Sequence, residues 1–313
     1  MARRRRPADH HGILRIDKPS GISSHDVVAR VRRTFGQRQV GHTGTLDPLA
    51  TGLMILTLGQ GTRLGRYLEA THKAYDGTVT LGRSTTTYDR EGDTVQTAEV
   101  PALTLADVQA AAQSLVGGLV QEVPAYSAVK VDGERLYAKA RRNEAVDLPK
   151  REVQIHELEV VDFDGTEIKV RTQVSKGTYI RTLAVQLGAA LSLPAYLSSL
   201  RRTEVGPFRV EDASRLDDED LGPGKLIPPA QAIDFMPAVI LEPDAAARVP
   251  FGQAPGAGQV RASAPFAAGD DVRVMTQDGQ LLAVGVAKLS AEELPKHPTR
   301  EPALSFSCVL VGR

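Results

Sequence analysis

Among the longest apolar stretches of the 313-residue chain is Leu53-Met54-Ile55-Leu56-Thr57-Leu58, a strand-length run that follows a segment, Gly41 to Gly52, with glycines at 41, 44 and 52. A bilayer crossing needs roughly 20 apolar residues, so this chain must build its core from short elements joined by tight turns. Hydrophobic residues at 42% and charged residues at 24% can supply a sizeable core, and the length suits about two domains. The basic start Arg3-Arg4-Arg5-Arg6 has no apolar segment behind it, which is not the pattern of a secretory signal, and the expected location is cytoplasmic. The single cysteine, Cys308, and seven scattered histidines without metal-ligand spacing predict neither a disulfide nor a metal site.

Local patterns predict the elements. Ile13-Leu14-Arg15-Ile16 reads as a short strand, and Ser23 or Ser24 can cap a helix through Phe35 with Val27, Val28 and Val31 on one face. The Gly41–Gly52 run reads as loop throughout, Leu53 to Leu58 as a strand, and Tyr75 to Leu81 as another by its alternation. Thr104 and Asp107 form a capping-box variant that opens a helix ending near Gly117-Gly118. Residues 119 to 151 show weak periodicity and mixed charge, including Lys130, Arg135, Lys139 and Arg141, and read as a mobile, partly helical insertion. A hairpin around Asp164-Gly165 joins Val153–Phe163 to Glu167–Val174, and Thr182 to Leu191 has a helical pattern. Beyond a Pro-rich segment the pattern turns to short β segments, notably 271–275 and 281–286 around Asp278-Gly279. The expected organisation is a flexible basic arm at 1–11, a main domain at 12–235 and a small β domain at 238–313.

Net charge is zero but segregated. Residues 1 to 72 hold twelve Lys/Arg against five Asp/Glu, residues 169 to 209 seven against one, and residues 210 to 245 two against nine. Such asymmetry points to a cationic face for a polyanion.

Asp47 precedes Pro48, which pushes its backbone out of the helical region, and the flanking glycines let a ligand approach closely. In Lys176-Gly177-Thr178-Tyr179-Ile180-Arg181-Thr182, Tyr179 and Arg181 share one face if the segment is extended, where they can stack on a base and neutralise a carboxylate. Tyr75, in Lys73-Ala74-Tyr75, and His42 offer further rings in a chain without tryptophan. Leu200-Arg201-Arg202, placed after a helix, suggests phosphate contacts. Each of these features alone has a duller structural reading.

Their combination closely resembles the TruB family of tRNA pseudouridine-55 synthases. The matching blocks, in order, are Asp17-Lys18-Pro19-Ser20-Gly21-Ile22-Ser23-Ser24, Gly41 to Gly52, Lys73-Ala74-Tyr75, Tyr126-Ser127-Ala128-Val129-Lys130, Ser175 to Thr182, and Leu200-Arg201-Arg202. The family's usual Pro-Pro before the Tyr-Ser-Ala segment is Val123-Pro124 here. The resemblance implies an α+β fold: a central mixed, largely antiparallel sheet flanked by helices, followed by a PUA-like RNA-binding domain. It implies a catalytic domain over 12–235 whose 119–151 insertion binds RNA. It further implies that Asp47 attacks covalently, at ribose C1′ or on the uracil ring, with Arg181 keeping the carboxylate ionised by lowering its pKa. Tyr75 would stack on the flipped uridine and take part in proton transfer at C5, Tyr179 and Leu200 would line the uracil pocket, and His42 would fill space left by flipped bases. Lys18, Pro19, Arg201 and Arg202 would support the site.

No cofactor is implied, in keeping with a chain that lacks a dinucleotide fingerprint or P-loop. The expected partner is the T-stem and T-loop of tRNA, bound by a monomer without guide RNA or membrane. Two other classes stay open on the residues alone. One is an RNA chaperone that refolds tRNA without chemistry. The other is a nucleoside or glycoside hydrolase, which would pair Asp47 with a second acid such as Asp17.

Overall fold

In the computed structural model the described residues are 8–127, 129–131, 133–136, 142, 147–297 and 301–311. Residues 1–7 of the expected basic arm lie outside them, as do Lys139 and Arg141. His10 is held to the body: its N–H donates to Gln37 Oε1 and its carbonyl accepts from Gln37 Nε2, both at 3.0 Å, while its ring packs edge-on against Phe35.

The chain enters strand β1 (Gly12–Lys18) and then helix α1 (Ser24–Thr34). Ser23 caps α1, accepting from the Asp26 N–H while Asp26 accepts from the Ser23 N–H at 2.9 Å, a reciprocal box that satisfies two end donors. The glycine-rich run is not all loop. Val40–Thr43 forms β2 and pairs antiparallel with β3 (Thr51–Leu58), Gly41 opposite Thr57 and His42 opposite Leu56, so that only residues 44–50 are loop. Glycine weakens a strand without forbidding it, and the open edge of β3 supplies the partner.

Short helix α2 (Gly65–Glu69) leads into β4 (Lys73–Leu81), followed by a small hairpin of β5 (Arg83–Thr85) and β6 (Thr94–Thr97). Helix α3 (Leu105–Gln113) opens on the Thr104–Asp107 capping box and gives way to β7 (Gly117–Glu122). A two-residue ladder, β8 (Lys130–Val131) with β9 (Glu134–Arg135), precedes β10 (Lys150–Phe163). Glu122 pairs with Lys150 and Leu119 with Val153, so both ends of the segment expected as an insertion belong to the sheet and 123–149 lies between strands. β11 (Glu167–Val174) closes the hairpin at Asp164, whose carboxylate accepts from the N–H groups of Thr166 and Glu167. Helix α4 (Ile180–Ala190), β12 (Ala195–Val205), β13 (Phe208–Arg209) and β14 (Ser214–Arg215) complete the large sheet.

Its order is β14-β1-β3-β12-β4-β11-β10-β7, with β2 on β3 and β13 on β12. Within this sheet β1 with β14 and β3 with β12 pair parallel, and the other described pairs antiparallel. The fold is thus the expected α+β mixed sheet. Five further strands, β15 (Ala238–Leu241), β16 (Val260–Ala262), β17 (Asp271–Met275), β18 (Leu281–Ala287) and β19 (Leu304–Val309), form a second sheet ordered β16-β15-β17-β18-β19.

The central strands are buried on both faces, which explains why β3 reads as a continuous apolar run. Leu14, Ile16, Met54 and Leu56 face the helices, packing with Val27 and Val31 of α1, Val108 of α3 and Leu183 and Leu187 of α4. Their strand neighbours Ile13, Leu53 and Ile55 face the other way, into a cluster with Leu64, Tyr67, Ile233 and, from the second sheet, Leu281 and Val284. Polar contacts cross the same junction: the Arg63 guanidinium donates to the Val309 carbonyl, and Arg66 pairs with Asp271 at 3.6 Å. No helix among the described residues is long and apolar enough to cross a membrane.

Gly52 is where the sheet is tightest. Its φ is +101°, and a Cβ there would lie 2.2 Å from the Arg202 carbonyl oxygen, a backbone atom with no room to yield. Gly52→Ala is expected to cost about 3 kcal/mol from strain and overpacking. A drop in Tm of roughly 6 °C or more should follow in a melting curve, and an unchanged Tm would contradict this account.

Candidate active site

The loop 44–50 joins β2 to β3 and carries Asp47 at its middle. Gly44 makes the entry, at φ +83° over the Arg202 and Lys73 side chains. The segment 18–24 then clamps the loop from below. Ser24 Oγ donates to the Leu46 carbonyl and accepts from its N–H, both at 2.8 Å, and the Gly21 N–H donates to Pro48 O at 2.9 Å. Lys18 is fully buried, and its Nζ donates to the carbonyls of Pro19 (2.9 Å), Ile22 (2.8 Å) and Pro48 (3.3 Å). Burial pulls the Lys18 amine down to about 8, against the opposing pull of Asp47.

Arg181 meets Asp47 from α4. The helix begins at Ile180 with Tyr179 as its N-cap, so Arg181 stands in the first turn and not on an extended segment. Tyr179 has no side chain suited to capping, and Gln121 of β7 does that work: it accepts from the Tyr179 N–H at 2.9 Å and donates to Tyr179 O at 3.3 Å. The guanidinium divides its donors. Nε contacts Asp47 Oδ2 at 3.0 Å, Nη1 donates to Thr87 O at 2.9 Å and lies 3.6 Å from Asp89 Oδ2, and Nη2 donates to Tyr126 O at 2.8 Å.

Asp89, which sequence reading did not single out, is buried, with Thr87 Oγ1 and the Glu91 N–H donating to its Oδ1 at 2.5 and 3.0 Å. The preceding residue, Tyr88, has φ +64°, a conformation costly for a bulky side chain. That strain turns the chain so that Thr87 O and Asp89 both reach one guanidinium.

Asp47 does not have the lowered pKa expected from a neighbouring arginine. Burial pushes its carboxyl above the usual range, the charge of Arg181 opposes that, and Asp89 adds to the rise while Lys18 counters it. Although 36% of the side chain is exposed, it sits in a recess where surrounding protein displaces much of the water that would solvate a charge.

The recess is a cavity of about 750 Å³ lined by Asp47, Tyr75, Tyr179, Arg181, Leu200 and Arg202. Five of the six predicted catalytic and binding residues therefore converge. The sixth, His42, is not among the lining residues; it stands on β2 opposite Leu56, with Nδ1 buried and without a hydrogen-bond partner among the described residues, and its pKa is lowered by burial and then by Arg202.

The arginine pair is split by strand alternation. It follows helix α4, as expected, but lies within strand β12, so Leu200 and Arg202 face the cavity while Arg201 faces away. Arg202 is buried and donates to Leu53 O at 2.6 Å and Gly44 O at 3.1 Å, which commits it to the loop and not to phosphate. Arg201 grips Asp17 through two bonds of 3.0 and 2.8 Å in a second cavity that also includes Lys18 and Pro19. Asp17 is thus spoken for and does not share the cavity of Asp47, so it is not placed to serve as the second acid of a hydrolase.

Cations on the main cavity's lining exceed anions. Lys73, Arg66, Arg151 and Lys176 join Arg181 and Arg202, against Asp47, Glu69 and Glu152. Lys73 is buried, donates to the carbonyls of Glu69 and Thr71, and has its amine drawn down to about 8 by burial and then by Arg202. The Lys-Ala-Tyr alternation places Lys73 on the same face as Tyr75, a signal available in the sequence.

Known proteins resemble this chain in sequence and fold. Residues 32–180 match the TruB family pseudouridylate synthase N-terminal domain, and residues 254–299 match the PUA domain. The chain is 47% identical over 216 residues to tRNA pseudouridine synthase B of Corynebacterium efficiens, covering 68% of this chain and 73% of that one. It is 42% identical over 254 residues to the protein of the same name from Geobacillus kaustophilus, covering 77% and 89%. Among solved structures, a chain of a Cbf5-Nop10-Gar1 complex superposes with a TM-score of 0.78 at 26% identity, over 97% of this chain and 86% of that one. The carboxylate held by an arginine in a cavity lined by two tyrosines thus stands in a chain whose sheet and C-terminal domain have known counterparts, and the chain belongs to the TruB family of pseudouridylate synthases.

Proposed function

We propose that the protein isomerises uridine-55 in the T-loop of tRNA to pseudouridine, with Asp47 as nucleophile. The observation that carries this reading is the 3.0 Å contact between Asp47 and Arg181 in a cavity walled by Tyr75, Tyr179 and Leu200. The names of the curated relatives support tRNA as substrate.

Isomerisation breaks the bond from uracil N1 to C1′, turns the base and rejoins it through C5. The C5 proton is lost and N1 gains one, so no redox partner or group donor is needed. Asp47 holds the intermediate covalently, at C1′ or on the ring. The uridine must first leave its stack, at a cost of a few kcal/mol, and stacking on Tyr75 returns about 1 to 3 kcal/mol. Tyr75 is also the proposed proton carrier at C5. Tyr179 and Leu200 frame the base, Arg202 and Lys18 with Pro19 hold the Asp47 loop from either side, and Arg201 braces Asp17 behind it. The cationic lining, the segment 123–149 and the C-terminal domain grip the T-stem. The protein acts in this reading as a monomer that needs no guide RNA and works in the cytoplasm, where its substrate is found.

The nucleophile must be ionised, so activity rises with pH through the Asp47 pKa. Because Asp89 helps push that pKa up, Asp89→Asn should move the acid limb of kcat/KM for a T-stem-loop to lower pH. Turnover at pH 7 should also fall modestly, because Arg181 loses a brace. A limb that moved to higher pH would refute the assignment of Asp89.

A further inference from the structure

One polar group on the cavity wall has no task in that scheme. Ser127 is 6% exposed, lines the cavity, and its Oγ is fully buried without a hydrogen-bond partner among the described residues. A hydroxyl left this way costs roughly 1 to 3 kcal/mol, and buried polar atoms without partners are uncommon in folded proteins. The cavity that Ser127 lines is a direction from which a partner can come.

Its place in the chain narrows what that partner is. The carbonyl of the preceding residue, Tyr126, accepts from Arg181 Nη2 at 2.8 Å, and the same guanidinium holds Asp47 through Nε at 3.0 Å. Ser127 is therefore one residue from the clamp that positions the nucleophile, whereas the base is framed by Tyr179 and Leu200. The part of a nucleotide that keeps its place in the RNA chain beside the site while its base turns is the ribose. C2′ is bonded to C1′, and its hydroxyl, like that of serine, both donates and accepts.

We propose that Ser127 Oγ hydrogen-bonds the 2′-hydroxyl of the target nucleotide, making Ser127 a positioning residue that selects ribose over deoxyribose. The inference rests on the reading of this cavity as the uridine site. A protein contact to the 2′-hydroxyl is the general means of telling RNA from DNA at one position.

The test compares T-stem-loops carrying uridine or 2′-deoxyuridine at the target position, with binding measured on Asp47→Asn protein so that no turnover intervenes. With serine present, the deoxy substitution is expected to weaken binding about tenfold, the worth of one hydrogen bond between neutral groups. With Ser127→Ala added, the deoxy penalty should shrink to within about twofold, and with Ser127→Thr, which keeps a hydroxyl, it should persist. Equal penalties with serine and alanine would overturn the proposal and assign the hydroxyl to the base or to no ligand. Because Ser127 Oγ has no partner among the described residues, Ser127→Ala should not lower Tm; a clear fall would reveal a structural role and also overturn it. Pseudouridine formation by the wild type on the all-ribose stem-loop checks the underlying reading separately. If no pseudouridine forms, that reading fails, and if it forms while the penalties are equal, the 2′-hydroxyl contact alone fails.

Discussion

Asp47→Asn is expected to release no measurable tritium from tRNA labelled at uridine C5, a loss of at least about 10⁴-fold, since deleting a covalent nucleophile removes the route and not a fraction of it. The amide keeps the shape of the side chain and an oxygen for Arg181 Nε, now 3.0 Å from Asp47 Oδ2. It also removes a carboxylate whose ionisation burial opposes. The sign is that of a group with a raised pKa: its favourable contribution to stability is fully present below the unfolded-state pKa and is lost as pH rises through the folded-state pKa. At neutral pH the asparagine variant should therefore melt no lower than the wild type, so that inactivity cannot be blamed on unfolding. Full tritium release by the variant would sink the nucleophile assignment.

Arg181→Lys is expected to cut turnover by about 100-fold or more while changing tRNA affinity little, because small misplacement of a reacting group is enough for a loss of that size. The structure shows Nε alone on Asp47, with the other nitrogens on Thr87 O, Asp89 and Tyr126 O. An ammonium on a flexible stem retains the charge but cannot reach four partners at once. The loss should appear in kcat and not in KM, and single-turnover kinetics on saturating tRNA would show it. Wild-type turnover with lysine would mean that charge alone suffices and that the braces are irrelevant.

What could be read in advance was local. The β10–β11 hairpin, the alternation of β4 and the two capping boxes are written within a few residues of themselves, and the structure shows them there. The unforeseen parts depend on partners distant along the chain. β2 hides in a glycine run because its pairing edge is β3. Arg202 is charged yet buried, and what makes that tolerable is the carbonyls of Leu53 and Gly44. Asp89 gains meaning only through Arg181. The direction of the Asp47 shift differs from what the motif predicts for a related reason: one opposite charge can be named from a motif, but desolvation sums over every group that crowds the carboxylate.

Helix α2 has neighbours of two kinds. Arg66, Glu69 and Ala70 border the cavity, whereas Tyr67 belongs to the apolar cluster that includes Leu281 and Val284 of the second sheet, and Arg66 also reaches Asp271. The C-terminal unit is thus sewn to the wall of the reaction chamber and does not hang from it as a bead on a string. Such a seam ties the histories of its two sides together. A lineage that remodels the outer sheet must refit the back of the chamber, and a chain that sheds it must find new cover for Ile13, Leu53 and Ile55.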